Sequence, residues 1–382
     1  MEEWIRGAPQ GAPTVLLVTA DREGSLRLAK HLRERDWTVV FAADGVQGLQ
    51  LAIREQPDAV VLSMQLPAGG GRAVIERLRR SLHTTATPVI AMARNGVDCE
   101  SALEAGAQAC LEDPIDPEAL VHALHRVSGR GVVVTHAPEG AIANPERLTA
   151  LDATGLLDAE VDPDLDWLTT IAAGTLGVPV ALLSLVDRDR QFFATHVGLP
   201  EPWATARQTP LSHSFCQWVV SGREPVMVED ARQHPVLKHN LAVRDIGVIA
   251  YAGVPMATAS GQHIGSFCGI DTRPRVWSDR DRETLSDLVA VAGAVLTIRD
   301  VDSAGDVAGD PDEAVRVVTD GIRAASKVLR RERDALEPDQ TAHLLSALDR
   351  MNDALAVLIG TLRTGPESAS AVPSPSRKRA TG

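Results

Sequence analysis

The chain reads as a multidomain protein. A doubly wound, parallel five-stranded α/β sheet comes first, then an α+β domain on an antiparallel sheet, then a helical segment and a disordered tail. Three observations predict this order. Short apolar runs alternate with amphipathic stretches from residue 14 to 128. Extended runs then follow one another between flanking helices, and beyond residue 312 one apolar stripe of helical period dominates. The length, 382 residues, suits about two to three domains, and a 44% hydrophobic content can fill their cores.

In the first region "TVLLV" (14–18), "WTVVF" (37–41), "DAVVL" (58–62), "TPVIAM" (87–92) and the weaker "AQACL" are β-branched or apolar and bounded by turn residues, as strands are. Helical spacing fills the gaps, at 22–35, 45–56, 72–82, 99–105 and 116–127; in the last, Leu120, Leu124 and Val127 recur on one face. Strict alternation of strand and helix predicts parallel pairing. Residues 129–143, rich in Gly, Pro and small side chains, read as a linker. The second domain spans 144–300. Two helices open it, the runs "VPVALLSLVD", "RQFFATHV", "EPVMVED", "VIAYAGVPMA" and "HIGSFCGID" follow, and a helix capped by Ser278 closes it.

Residues 301–311 read as a second linker. Two helices follow within 312–364, split at Pro338, and Leu344, Leu348, Met351, Leu355, Leu358 and Leu362 line one stripe of the second. That stripe needs a partner, either the other helix as a hairpin or a second copy of the chain, and a homodimer through these helices is expected. The N-terminal residues 1–13 read as flexible and 365–382, rich in Ser, Pro and Ala, as disordered.

With 38 basic and 51 acidic residues the net charge is −13, which argues against nonspecific nucleic-acid or anionic-membrane binding. No apolar run approaches the roughly 20 residues of a membrane span, and the N-terminus lacks the basic and apolar regions of a signal peptide. Cys99, Cys110, Cys216 and Cys268 are widely spaced with no CxxC, so free thiols in a reducing cytoplasm are expected. The chain carries no Walker A sequence, HExxH, GxSxG or Gly-rich kinase box, and no GGDEF or EAL signature. It is therefore expected not to be an enzyme.

The order and punctuation of residues 14–127 resemble a response-regulator receiver domain. The resemblance implies a mechanism: an acidic pair after the first strand holds Mg²⁺ and an aspartate after the third accepts phosphoryl. A Ser or Thr after the fourth strand and a Lys before a proline after the fifth then follow the new phosphate. Here Thr19 and Ala20 stand at the acidic pair, with only Asp21 beside them. Ser63 stands at the acceptor, Ala93 at the switch hydroxyl, and Asp113, before Pro114, at the lysine. The expectation is a phosphorylation-incompetent pseudo-receiver acting as scaffold or docking module. A site for another small ligand at its loop end, or Ser63 itself as acceptor, are the alternatives.

Residues 144–300 resemble a GAF domain, through "NPERLTALDATGLLD", "VPVALLSLVDRDRQFFATHVGLP", "PLSHSFCQWVV", "PVMVEDARQHP" and "AYAGVPMATASGQHIGSFCGIDTRPRVWSD". The resemblance implies an antiparallel sheet with a cavity on one face and, in many members, a small ligand. A helix starting near Ser212 would set His213, Phe215, Cys216 and Trp218 around that cavity, joined by Asp230, Arg232, Tyr251, Phe267 and Cys268. His213 and Cys216 are two ligands short of a zinc site. They do not match a bilin-attachment pair, and the signature of cyclic-nucleotide-binding members is absent, so no metal or cofactor is expected and the small molecule stays unnamed. Cys216 and Cys268 meeting across the pocket as a thiol-dependent redox enzyme or sensor is the competing reading; the plainer one makes both cysteines small buried hydrophobes. Asp187, Asp230 and Asp271, each at a strand end, suit turns. His343 lacks the residues that follow a phospho-accepting histidine. Together these point to a cytoplasmic signalling protein of bacterial type with a protein partner.

Overall fold

The computed structural model describes residues 12–67, 70–127, 135–304 and 310–364. Most of the expected N-terminal segment (residues 1–11), the expected tail (365–382) and parts of both linkers (129–134 and 305–309) lie outside them, as does the side chain of Leu362.

The first domain runs β1 (Thr14–Val18), α1 (Arg22–Arg33), β2 (Thr38–Ala42), α2 (Gly45–Glu55), β3 (Ala59–Ser63), α3 (Gly70–Arg80), β4 (Val89–Ala93), α4 (Gly96–Glu104), β5 (Ala109–Glu112) and α5 (Pro117–Val127). All pairs are parallel, in the order β2-β1-β3-β4-β5. This is a doubly wound sheet whose order reverses between β1 and β3. Both faces are covered, so β1, β3 and β4 are apolar along nearly their whole length. Helix starts are set by side-chain acceptors: Asp21 accepts from the backbone N–H of Glu23 and Gly24, Asp44 from Gln47, and Asn95 from Asp98. The Asn95 cap starts α4 earlier than the apolar spacing suggested.

The cysteines bring one correction. Cys99 on α4 and Cys110 on β5 form a disulfide, with Cα atoms 5.5 Å apart, and only Cys216 and Cys268 are free. The tight turn after α4 folds β5 back beside the helix, a proximity that a separation of 11 residues does not announce.

The second domain begins inside the expected linker. Helix α6 (Glu139–Ile142) lies there, and Ala137 and Ile142 are buried in the core of the second domain, because the chain must cover that face of the sheet. Then come α7 (Pro145–Ala153), α8 (Pro163–Leu176), β6 (Val180–Val186), β7 (Arg190–Val197), α9 (Trp203–Ala206), β8 (Gln208–Pro210), α10 (Cys216–Gly222), β9 (Val226–Val228), α11 (Leu241–Asp245), β10 (Ala250–Ala257), β11 (His263–Asp271) and α12 (Asp279–Ala304). The six strands pair antiparallel in the order β8-β7-β6-β11-β10-β9. Ser278 caps α12 as expected: its Oγ accepts from the Asp281 N–H while Asp281 returns a bond to the Ser278 N–H. The helix then continues to Ala304, past the boundary expected for the linker, since Val291, Val295 and Ile298 keep its apolar face in the core.

Each face of this sheet has its own core. On one, Leu183, Leu185, Val254 and Phe267 pack against α8 and α12; on the other, Leu182, Phe193, Tyr251, Cys268 and Ile270 pack beneath α10. The alternation along each strand sorts the residues. Helices α13 (Pro311–Arg331) and α14 (Pro338–Thr364) extend the first core: Leu344, Met351 and Leu358 of the stripe are at most 1% exposed, against α12 and α13. His343 stacks on Trp167, ring centroids 5.9 Å apart. The two domains touch where the end of α3 meets α10. Leu82 is buried in the second core, and Ser81 Oγ donates to Glu224.

Candidate functional site

Two places hold the residues that the sequence singled out. The first is the loop end of the parallel sheet. Thr19 Oγ1 accepts from the Asp21 N–H, whose carboxylate is used in capping α1, and Ser63 Oγ accepts from the Gln65 N–H at 3.2 Å. Ala20 is exposed, Ala93 is fully buried and Asp113 is exposed on the loop after β5. Thr19, Asp21 and Ser63 are thus each occupied by their own turn.

The second place is a cavity in the other domain, about 330 Å³ with the open solvent at its mouth included. It lies on the α10 face of the antiparallel sheet. Leu182 of β6, Gln191 and Phe193 of β7, Tyr251 of β10, and Cys268 and Ile270 of β11 form its floor. His213, Phe215 and Cys216 come from the start of α10, and Leu199, Ala242, Ile246 and Val248 from loops and α11. The lining is mainly apolar with a few polar groups, as in small-molecule sites.

Local sequence explains how α10 delivers its residues. A short 3-10 turn at Leu211–His213 precedes it, and Ser214, not Ser212, is the cap: its Oγ accepts from the Gln217 N–H at 3.1 Å and donates to Gln191. Ser212 instead lies 3.0 Å from His213 Nδ1, while His213 Nε2 meets Asp245 at 3.1 Å. Arg244, with His213 behind it, holds the Asp245 carboxyl down at about 2.

At the floor Tyr251 Oη stands 3.2 Å from Cys216 Sγ and 3.2 Å from Ser266 Oγ, and the two sulfurs are 3.9 Å apart. Gly253 makes room for this ring: a Cβ there would sit 2.2 Å from Tyr251 Oη. Burial raises the Cys216 thiol, but its neighbours, Cys268 first and then Tyr251, outweigh it and bring the group to about 7. Burial, then the neighbouring Cys216, pushes Cys268 well up; burial, then both sulfurs, does the same to Tyr251. Chemically, the floor can hydrogen-bond one polar group of an otherwise apolar ligand, and its sulfurs can close to the ~2.0 Å of a disulfide.

Of the residues expected around the cavity, the structure brings together His213, Phe215, Cys216, Tyr251 and Cys268. Trp218 is fully buried in the same core without lining the cavity. Phe267 points to the opposite face, because neighbours on a strand alternate and Cys268 takes the cavity side. Asp230 and Arg232 pair with each other in the turn after β9, the guanidinium holding the carboxyl at about 2. Asp187, Asp230 and Asp271 each accept a backbone N–H in a turn, as their positions suggested. Gln191, Phe193 and Ile270 were legible in principle, since they stand on the cavity parity of their strands; Leu199, Ala242, Ile246 and Val248 carried no such signal. Among the described residues no group of three or more His, Cys, Asp or Glu could hold a metal, and no helix is long and apolar enough to cross a membrane.

Comparison with known proteins agrees with this layout. The family model for the response regulator receiver domain matches residues 15–125, and that for the GAF domain matches residues 161–296. A cyclic di-GMP phosphodiesterase of Pseudomonas aeruginosa is 35% identical over 130 residues, covering 34% of this chain and 21% of that protein. The nitrate/nitrite response regulator of Escherichia coli is 28% identical over 140 residues, 36% of this chain and 65% of that one. In each case the chain spans less than two thirds of the relative's length. Among solved structures, the receiver domain of a sensor histidine kinase of Pseudomonas aeruginosa is 27% identical, with 31% of this chain and 99% of that one covered at a TM-score of 0.30. The chain thus carries a response regulator receiver domain followed by a GAF domain, the equipment of a signalling protein.

Proposed function

We propose that the GAF domain senses a small, mainly apolar molecule in the cavity under α10, and that the receiver domain serves without phosphoryl chemistry as scaffold or docking module. The observation that carries this reading is the Cys216–Tyr251 pair, a hydrogen-bonding floor in a mainly apolar cavity, with Ser266 behind it on Tyr251 Oη. The positions where a receiver would hold Mg²⁺ and phosphoryl support the second half: Ser63 offers no carboxylate at the acceptor, Thr19 and Ala20 none at the acidic pair, Ala93 no hydroxyl, and Asp113 stands where a cation is needed. On this reading the protein is not an enzyme, acts in the cytoplasm and passes its signal to a protein partner. A homodimer through the C-terminal helices belongs to the proposal and is tested by light scattering. The stripe is already packed inside the chain, so a dimer would use other residues, such as Leu345, which is 51% exposed.

Native mass spectrometry with an absorption spectrum on the freshly purified full chain tests the sensor. Retained small-molecule mass, lost when Val248→Trp fills the cavity, supports it. A protein that is empty and binds nothing from a panel of small apolar molecules counts against it. Radiolabel from acetyl phosphate in the receiver domain would overturn the phosphorylation-incompetent half.

A second reading is favoured by one distance, the 3.9 Å between the sulfurs of Cys216 and Cys268. Two-electron oxidation of this pair by a peroxide-class oxidant would form the S–S bond, release two protons and lock α10 to β11. Loss of two mass units on oxidation, absent in Cys268→Ala, would support redox sensing over ligand sensing.

A further inference from the structure

A second cleft lies at the junction of the two domains, and none of its lining residues lines the apolar cavity. It measures about 360 Å³, open solvent at its mouth included. Arg80 reaches it from the last residue of α3 in the receiver domain. Asn144, Arg147, Ser221, Arg223 and His263 reach it from the GAF side.

Three features mark it as unfinished. Arg147 is 4% exposed, yet its guanidinium donates only to the carbonyl oxygens of Ile142 and Val186 and makes no ion pair among the described residues. A cation this buried is costly: Asp187 acts on it only through space, and burial outweighs that and lowers its pKa to about 10. Ser221 Oγ and His263 Nδ1 are buried with no hydrogen-bond partner, and Ser221 as a whole is only 4% exposed. Arg80 and Arg223 make no ion pair among the described residues; the nearby Glu224 accepts from Ser81 Oγ and does not line the cleft. This concentration of positive charge occurs in a chain of net charge −13, where chance would favour acidic neighbours.

We propose that this cleft binds a small oxyanion, free phosphate or the phosphate group of a small monoester, and that the bound anion clamps the receiver domain onto the GAF domain. The anion would give Arg147 the direct ionic partner it lacks and accept from the Ser221 hydroxyl. Arg80 and Arg223 would close on it from the two domains by charge-assisted hydrogen bonds. It acts apart from the cavity, so the fate of the sensor reading does not decide it.

Calorimetric titration of the full chain with inorganic phosphate, against chloride at matched ionic strength, tests the proposal. One site is expected, with Arg80→Gln and Arg223→Gln each weakening binding about tenfold. Neither guanidinium makes an ion pair among the described residues, so both variants should stay folded. Arg188→Gln, at an exposed position outside the cleft, should bind as the wild type does. A parallel titration with glycerol phosphate separates the sources: tighter binding than phosphate indicates an esterified ligand, weaker binding a free ion. Phosphate should also slow amide exchange at the end of α3 and in α10 together. Absence of binding by both compounds, or equal weakening by Arg188→Gln, would overturn the site.

Discussion

The loop end of the receiver sheet and the floor of the GAF cavity both gather hydroxyl-bearing side chains, under opposite conditions. Thr19 and Ser63 are half-buried and bond to backbone two residues away. Cys216, Tyr251, Ser266, Ser184 and Cys268 are each at most 1% exposed, and three of them bond through Tyr251 across three separate elements. A polar group buried without a partner costs about 1–3 kcal/mol, whereas one in a solvated turn costs almost nothing. The cavity cluster is therefore held in place against a penalty, while the loop end has settled into ordinary turn chemistry. Burial, more than residue type, separates the two clusters.

The largest test of that contrast is Tyr251→Ala, which empties a fully buried ring position and should cost about 3–5 kcal/mol in urea unfolding. A cost below about 1 kcal/mol would mean that the cavity floor is loosely packed and the contrast false. Reduction of Cys99–Cys110 should come next, since releasing a closed loop of this length costs about 2–3 kcal/mol. Peptide mapping after alkylation under native conditions would first check the pairing, and finding both thiols labelled would remove it.

His234 gives a pH test near the domain junction. Burial first, then His83 of the receiver domain, lowers its pKa from 6.5 to about 4, and its Nδ1 accepts from the N–H groups of Val236 and Leu237. A depressed histidine favours the folded state when neutral. Its contribution is complete above pH 6.5 and is lost as the pH falls towards 4. About 1–2 kcal/mol should disappear over that window after allowance for partial exposure, and His234→Asn should flatten the profile. An unchanged profile in the variant would assign the acid sensitivity elsewhere.

Tyr251→Phe keeps the ring and removes only the hydroxyl; about 1 kcal/mol is expected, with Cys216 and Ser266 left facing each other. Ser63→Ala should be smallest, within about 0.5 kcal/mol. If the last two reversed, Ser63 would be the residue under constraint and the receiver loop end would need a role of its own.

Much of this was open to reading in the chain. Parallel and antiparallel sheets followed from whether helices alternate with strands, and five of the nine residues assigned to the cavity line it. The errors have physical causes. Phe267 and Cys268 cannot share a face of one strand, so choosing both ignored a period of two. Ser212 looked like a cap because the 3-10 turn that delays α10 to Cys216, and passes its capping bond to Ser214, has no spacing of its own. The Cys99–Cys110 bridge and the Arg80–Arg223 juxtaposition depend on how elements fold back or dock, and local pattern holds no such information.

Helix α10 has a further consequence. It is only seven residues long, about 10 Å at 1.5 Å per residue, and its first residue, Cys216, faces the apolar cavity while Val220 and Ser221 face the cationic cleft. Strand β11 repeats the arrangement, with His263 at the cleft and Cys268 and Ile270 at the cavity. A strut of about two turns has no room to bend midway. If both pockets fill, whatever one occupant does to the helix the other must feel, and by linkage each alters the other's affinity by the same factor. Such a protein would report on two chemically unlike signals at once, weighing a greasy molecule against an ion.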